Sequence, residues 1–446
     1  MKRVTLEATD ENILNSIKNN DYQRNSDVRD FIEALDTIEG NMFISIDGRW
    51  GEGKSFYIRQ IEMALKYLVQ KKWGNIDETD LDLYFQNPIW TNIDLKHSCF
   101  PVYYNAWYYD NHDDPLLSLL YVILKQYSGF IDTKIDQATL KQKFLSILSG
   151  FSVSLNGIGS ISIDPKKVSE DLKDKDIFEE ILLVEEIRNK VKEIFDQMIT
   201  ENAGRLVIIV DELDRCRPSY AVEVLERIKH YFDDDRIIFI AAVNKEQLVH
   251  TLAKYYGANF DATRYLNKFF DYNVHMPAMK SNYSLQGENR AQFFLYSISD
   301  ELTQYYKLTL RDALIFNENI SRLPAEYVND VGTQGCCLSL FVPIIIILEM
   351  VDQEQKVRFL NGDTTILEKI CHTLNSAKKL VCAFGEDGVV TENNFNLGYK
   401  KIKSVYQYAF QKNDRDSYQQ LKIDVSMNIK GFCIKACNGF KKTGLI

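Results

Sequence analysis

The chain has 446 residues, 45% of them apolar and 26% charged, a composition that fits a folded, water-soluble protein and excludes a disordered or fibrous one. At roughly 150 residues per domain there is room for two or three domains with ample core. The 53 basic and 63 acidic side chains leave a net charge of -10, which argues against a surface built throughout for nucleic acid and leaves only local basic faces. Eight cysteines include no C-x-x-C pair, and the six histidines show no ligand-like spacing with them, so neither a disulfide framework nor a zinc site is indicated. Cys433 and Cys437, four apart, read as buried thiols on one helix face. The opening MKRVTLEATDENIL holds no apolar h-region, so a cytoplasmic location is expected.

In chain order, a polar helix is predicted around Asn12 to Asn19. An amphipathic helix follows from Asp27 to Thr37, with Val28, Phe31, Ile32 and Leu35 at helical spacing. The strand MFISID leads into a glycine-rich turn from Gly48 to Ser55, and a helix from Phe56 to Val69 aligns Ile58, Ile61, Leu65 and Leu68. Strand, glycine loop and helix in that order make a phosphate-binding βα unit. PVYYNAWYYD offers a second strand, and Pro115 to Tyr127 a leucine-rich helix.

The stretch Phe144 to Ile163 is uncharged but rich in Ser, Gly and Asn. Its alternation about Asn156-Gly157 is the pattern of a hairpin with a type I′ turn, so a hairpin or an ordered insertion is expected rather than a membrane span. A charged linker, Asp164 to Asp176, precedes a helix from Ile177 to Ile199 that Gly204 ends. RLVIIVDE is then an apolar strand of the kind buried on both faces in a parallel sheet. The helix Tyr220 to Phe232 and the strand RIIFIAAVN complete a βαβ repeat. From Met276 onward the periodicity is helical. Val331 to Leu348 is strongly apolar only in its second half and contains Pro343, so a buried helix is expected there and no stable membrane span.

GRWGEGKS satisfies G-x-x-x-x-G-K-S between a strand and a helix, where that motif has to be. Gly48, Gly51 and Gly53, with Glu52 in the same loop, let successive backbone N–H groups wrap phosphates, and the helix N-terminus adds partial positive charge. Lys54 reaches the β- and γ-phosphates, and the Ser55 hydroxyl is a magnesium ligand. In VIIVDELDRCRP an apolar strand delivers Asp211 to its carboxyl end, where ligands bind in open α/β sheets and a carboxylate can hold magnesium through water. Glu212 is placed to orient or deprotonate the attacking water, and Asp214 is a second candidate ranked below it. Asn244 ends the next strand, either to hydrogen-bond the γ-phosphate or the attacking water, or as a turn residue. Arg215, Arg217, Arg264 and Arg311 are candidates to neutralise transition-state charge, and each also suits an ordinary surface or ion-pairing role.

On these pieces the chain resembles the KAP P-loop NTPases. The matching segments are IDGRWGEGKS, YYNAWYYDNHDDPLLSLL, DELDRCRPSYAVEVLERIKHYF, IIFIAAVNKEQL and RYLNKFFDYNVHMP, in the family's order over roughly residues 10 to 330. The expected fold is α/β: a P-loop NTPase three-layer sandwich with a mainly parallel sheet over residues 1–275, an insertion at about 140–176, and a mostly α-helical domain over 276–446. The resemblance implies ATP-dependent hydrolysis with ATP and Mg2+ on a STAND- or AAA-like sheet, with Trp107 and Asp214 to Cys216 as family positions. The acidic pair is Asp211-Glu212 where the family often has two aspartates, and Asn244 stands where aspartate is common. Many members carry transmembrane helices between the two motifs; the polar stretch here implies a member without them. Relatives commonly take an arginine from a neighbouring subunit, which implies a homo-oligomer or a partner protein from the same operon, and bacterial relatives suggest a role in anti-phage defence. The leading expectation is a nucleotide-driven switch or assembly module. The alternatives are a nucleotide-binding scaffold with little turnover, and a nucleic-acid-associated ATPase using the tail from Lys400 to Ile446, with ten basic and three acidic residues.

Overall fold

A computed structural model describes residues 7–73, 81–130, 204–277, 289–321, 333–386 and 388–411 apart from 92, 113 and 258, together with 323 and helical positions between 185 and 196. The chain divides into two compact units, one from Glu7 to Lys280 and one from Ser281 on.

Among the described residues the first unit is organised by five parallel strands: β1 (Met42–Asp47), β2 (Cys99–Asn105), β3 (Arg205–Asp211), β4 (Ile237–Val243) and β5 (Tyr272–His275), in the spatial order β2-β3-β4-β1-β5. Every residue of β3 and β4 is buried, as apolar runs rich in Ile and Val require when helices cover both faces. Asn105 lies opposite Asp211, and Asp47 lies opposite both Val243 and His275, so the carboxyl ends of the strands form one edge. Phe195, Phe232, Phe239 and Phe43 make a chain of ring contacts through the core, with centroids 5.4 to 5.6 Å apart.

Among the described residues the helices of this unit include α1 (Asp10–Asn19), α2 (Asn25–Asp36), α3 (Lys54–Trp73), α4 (Pro115–Phe130), α5 (Pro218–Tyr231), α6 (Lys245–Tyr256) and α7 (Ala262–Leu266), with further helical positions between 185 and 196. Side chains of Thr9, Asn244 and Asp261 cap the first turns of α1, α6 and α7. Two features depart from the expected elements. The strand read in PVYYNAWYYD stops at Asn105, because the Asn105 side chain accepts the Tyr108 N–H at 3.0 Å and turns the chain. β5 was not expected: it is a four-residue edge strand whose mostly exposed residues carry no apolar run. The predicted hairpin, the linker and Cys433 and Cys437 lie outside the described residues, as does the tail beyond residue 411.

In the second unit the described elements are helices: α8 (Arg290–Tyr305), α9 (Leu310–Ser321), α10 (Thr333–Val351), α11 (Gln353–Leu360), α12 (Thr365–Thr373), α13 (Asn375–Ala383) and α14 (Glu392–Phe410). The apolar stretch ending at Leu348 is the buried centre of α10, with Pro343 inside the helix. No helix among the described residues is long and apolar enough to cross a membrane. The described cysteines are buried and unbridged.

Candidate functional site

The loop after β1 has the geometry its glycines require. Gly51 and Gly53 sit at φ of 88° and 82°, a region L side chains rarely adopt. A Cβ at Gly48 would fall 2.8 Å from Glu52 Oε2 and 3.1 Å from Met276 Cβ. Glu52 tightens the turn: its N–H donates to the Arg49 carbonyl at 3.3 Å, and its carboxylate accepts the Arg49 N–H at 2.8 Å. Lys54 and Ser55 open α3. The Lys54 ammonium donates to the loop carbonyls of Gly48 and Arg49 at 2.7 and 3.3 Å, and burial lowers its pKa against the pull of Asp214, Asp211, Glu212 and Glu52.

On the facing side, β3 delivers Asp211 to its end, where it is 1% exposed. Asp211 Oδ1 accepts the Glu212 N–H at 2.9 Å and Oδ2 accepts the Tyr103 hydroxyl at 2.8 Å. Burial raises the Asp211 pKa, while hydrogen bonds from Tyr103, Ser55 and the Glu212 N–H oppose that rise. Glu212 follows in the left-handed region, φ 60°, a strained place for a residue with a side chain. The Ser55 hydroxyl stands 3.5 Å from Glu212 Oε1, and Arg215 pairs with Glu212 Oε2 while lying 5.7 Å over the Trp107 ring. Burial, helped by Asp211, pushes the Glu212 carboxyl up to about 7 although Arg215 draws it down.

Asp214 and Asn244 stand behind this group. Asp214 Oδ2 accepts both the Trp50 indole N–H at 2.7 Å and the Asn244 backbone N–H at 3.1 Å, tying the loop to the ends of β3 and β4. The Asn244 side-chain oxygen caps α6 by accepting the Gln247 N–H at 3.2 Å. A cleft of about 240 Å3 beside them is lined by Gly48, Arg49, Glu52, Asn244, Glu246 and Met276, among others. Of the candidate arginines only Arg215 touches the acidic group. Arg217 binds Asp110, while Arg264 and Arg311 are exposed, the latter in the second unit.

Three residues of the site were not singled out in the sequence. Tyr103 had no signal beyond its place in a strand, since alternation does not say which residue a side chain meets across the sheet. Trp50 is half exposed inside a glycine-rich loop, an unusual place for an indole and the one local hint of its role. Arg24 is 1% exposed, and its Nη2 donates to the carbonyls of Glu52 and Pro277 at 3.3 and 3.5 Å, bracing the loop from beneath.

A parallel sheet with this loop between β1 and α3, and with an acidic strand end facing it, defines a P-loop NTPase fold. The family described as KAP family P-loop domain matches residues 24–286, more than half of the chain, and the chain belongs to that family. The match is narrower than the span of roughly 10 to 330 read from the sequence. No curated protein matches the chain. Among solved structures, that of the Aeropyrum pernix ORC2 protein (ADPNP-ADP complexes) is similar at 10% identity and a TM-score of 0.30, covering 86% of this chain and 94% of that one.

Proposed function

We propose that the chain binds ATP with Mg2+ at the loop Gly48 to Ser55 and hydrolyses it, using the nucleotide state as a switch or assembly signal. The observation that carries this reading is the convergence of Lys54, Ser55, Asp211 and Glu212 on one strand edge. The residues fit the group: the hydroxyl of Ser55 and the carboxylate of Asp211 are hard oxygen donors of the kind magnesium takes. No cluster of three or more metal-ligating side chains occurs among the described residues, and a site that shares its ion with phosphate oxygens does not require one. When bound, magnesium supplies charge neutralisation at the phosphate oxygens.

In this reading Lys54 exchanges its loop carbonyls for the β- and γ-phosphates, and loop N–H groups hold the remaining oxygens. Glu212 accepts the proton of the attacking water, a role that suits a carboxyl tuned near neutral pH. Asp214 acts as a brace rather than a base, because one of its oxygens already serves Trp50 and Asn244. Asn244 keeps α6 in place through its oxygen. The defence role rests on the family resemblance alone.

The test is equilibrium binding of labelled ATP with Mg2+ to the full chain and to Lys54→Ala. The reading expects binding by the first and a loss of at least tenfold in affinity in the second. Equal affinity for both, or none in either, would overturn it.

A further inference from the structure

Tyr103 lies in β2, the outermost on its side among the described strands, and contacts of three kinds fix it. Its hydroxyl donates to Asp211 Oδ2 at 2.8 Å. Its ring lies 4.6 Å from the Arg59 guanidinium, which is itself paired with Glu62 and Asp10. Its main-chain N–H and C=O are both taken by one side chain: the N–H donates to Gln126 Oε1 at 2.9 Å, and Gln126 Nε2 donates to the Tyr103 carbonyl at 2.6 Å. Gln126 thereby supplies the two bonds that a further strand would have made at this edge. The neighbouring Tyr104 is anchored on the opposite face, where its hydroxyl meets Ser118 and Tyr220 at 2.8 and 2.7 Å.

Asp211 is a short, buried side chain, and a carboxylate that must present one face to a cation has its rotation set by whatever bonds its oxygens. One oxygen is held by the next residue's own N–H, and Ser55 bonds the carboxylate from the phosphate loop, so Tyr103 is the group on the neighbouring strand that fixes the plane. We propose that Tyr103 is a positioning residue for the magnesium site, its hydroxyl holding the Asp211 carboxylate at the angle that faces Ser55. This rests on the nucleotide reading above. The hydroxyl is the donor in this bond, since it faces a carboxylate oxygen at 2.8 Å. Arg59 and Gln126 act one step further out, by keeping the ring and the strand from shifting.

The test uses the full chain and a fluorescent ATP analogue, measured in EDTA and then titrated with MgCl2. Tyr103→Phe keeps the ring and its contact with Arg59 and deletes only the hydroxyl. Its affinity in EDTA is expected within twofold of the unsubstituted chain, and its Mg2+ midpoint is expected to rise about tenfold, the lower end of the usual loss for an outer-sphere partner. Tyr103→Leu removes the ring as well. A midpoint that moves in Tyr103→Leu but not in Tyr103→Phe would make the residue a packing element and overturn the proposal. Should Tyr103→Phe not fold, Gln126→Met, which keeps the hydroxyl and loosens the strand edge that places it, is read instead: a raised Mg2+ midpoint is expected, and no rise would overturn the proposal. Failure of the nucleotide reading shows separately, as an unsubstituted chain with no Mg2+-dependent binding, and takes this proposal with it.

Discussion

Glu212 combines a left-handed backbone with a carboxyl held near neutral pH, and both features carry measurable consequences. Its pKa rises from the ordinary glutamate value of 4.5 to about 7 in the fold, so the folded chain holds this proton more tightly than the unfolded one. Stability from this group is therefore full below about 4.5 and is lost as pH rises through about 7. Glu212→Gln escapes that loss, so the Tm difference between the variant and the unsubstituted chain should be more positive at about pH 8 than at about pH 5 in calorimetry; equal differences would contradict the assignment. Asp214 makes the contrasting case. Asp214→Asn should retain turnover within about tenfold, as a brace can, whereas loss of a general base typically costs about 100-fold or more; a larger loss from Asp214→Asn than from Glu212→Gln would reverse the two roles. The cradle was legible in the sequence because Gly51 and Gly53 are fixed by backbone conformation, a local property. The Trp50 to Asp214 bond spans 164 residues of chain, and an indole in a glycine-rich loop gives no hint of so distant a partner.

At the scale of elements, β3 and β4 could be read directly, since strands covered on both faces leave continuous apolar runs. β5 and the true end of β2 could not: one is short and exposed, and the other stops where the Asn105 side chain captures a backbone N–H. The predicted hairpin about Asn156-Gly157 lies outside the described residues. In the second unit α13 and α14 approach so closely at Gly398 that a Cβ there would stand 1.9 Å from the Val381 carbonyl oxygen. Gly398→Ala should accordingly cost about 1–3 kcal/mol as the helices are forced apart. Thermal or urea unfolding reads this directly, and an unchanged Tm would show that α14 slides freely over α13.

For the whole molecule, family membership over residues 24–286 accounts for the first unit and leaves the helical second unit without an assigned task. Turnover would call for an arginine that neutralises charge, and among the described candidates in the first unit Arg215 is paired with Glu212, Arg217 is paired with Asp110, and Arg264 is exposed. We propose that a neighbouring copy supplies it, so that specific ATPase activity rises with protein concentration. Constant specific activity over a hundredfold dilution would indicate a working monomer. The central claim is that Glu212 deprotonates water at a magnesium-dependent ATP site. It is tested most directly by phosphate release from ATP by the unsubstituted chain and by Glu212→Gln, at Mg2+-ATP levels that saturate both. The account predicts steady release from the first and a rate slower by about 100-fold or more from the second, with nucleotide still bound; equal rates in the two would contradict it.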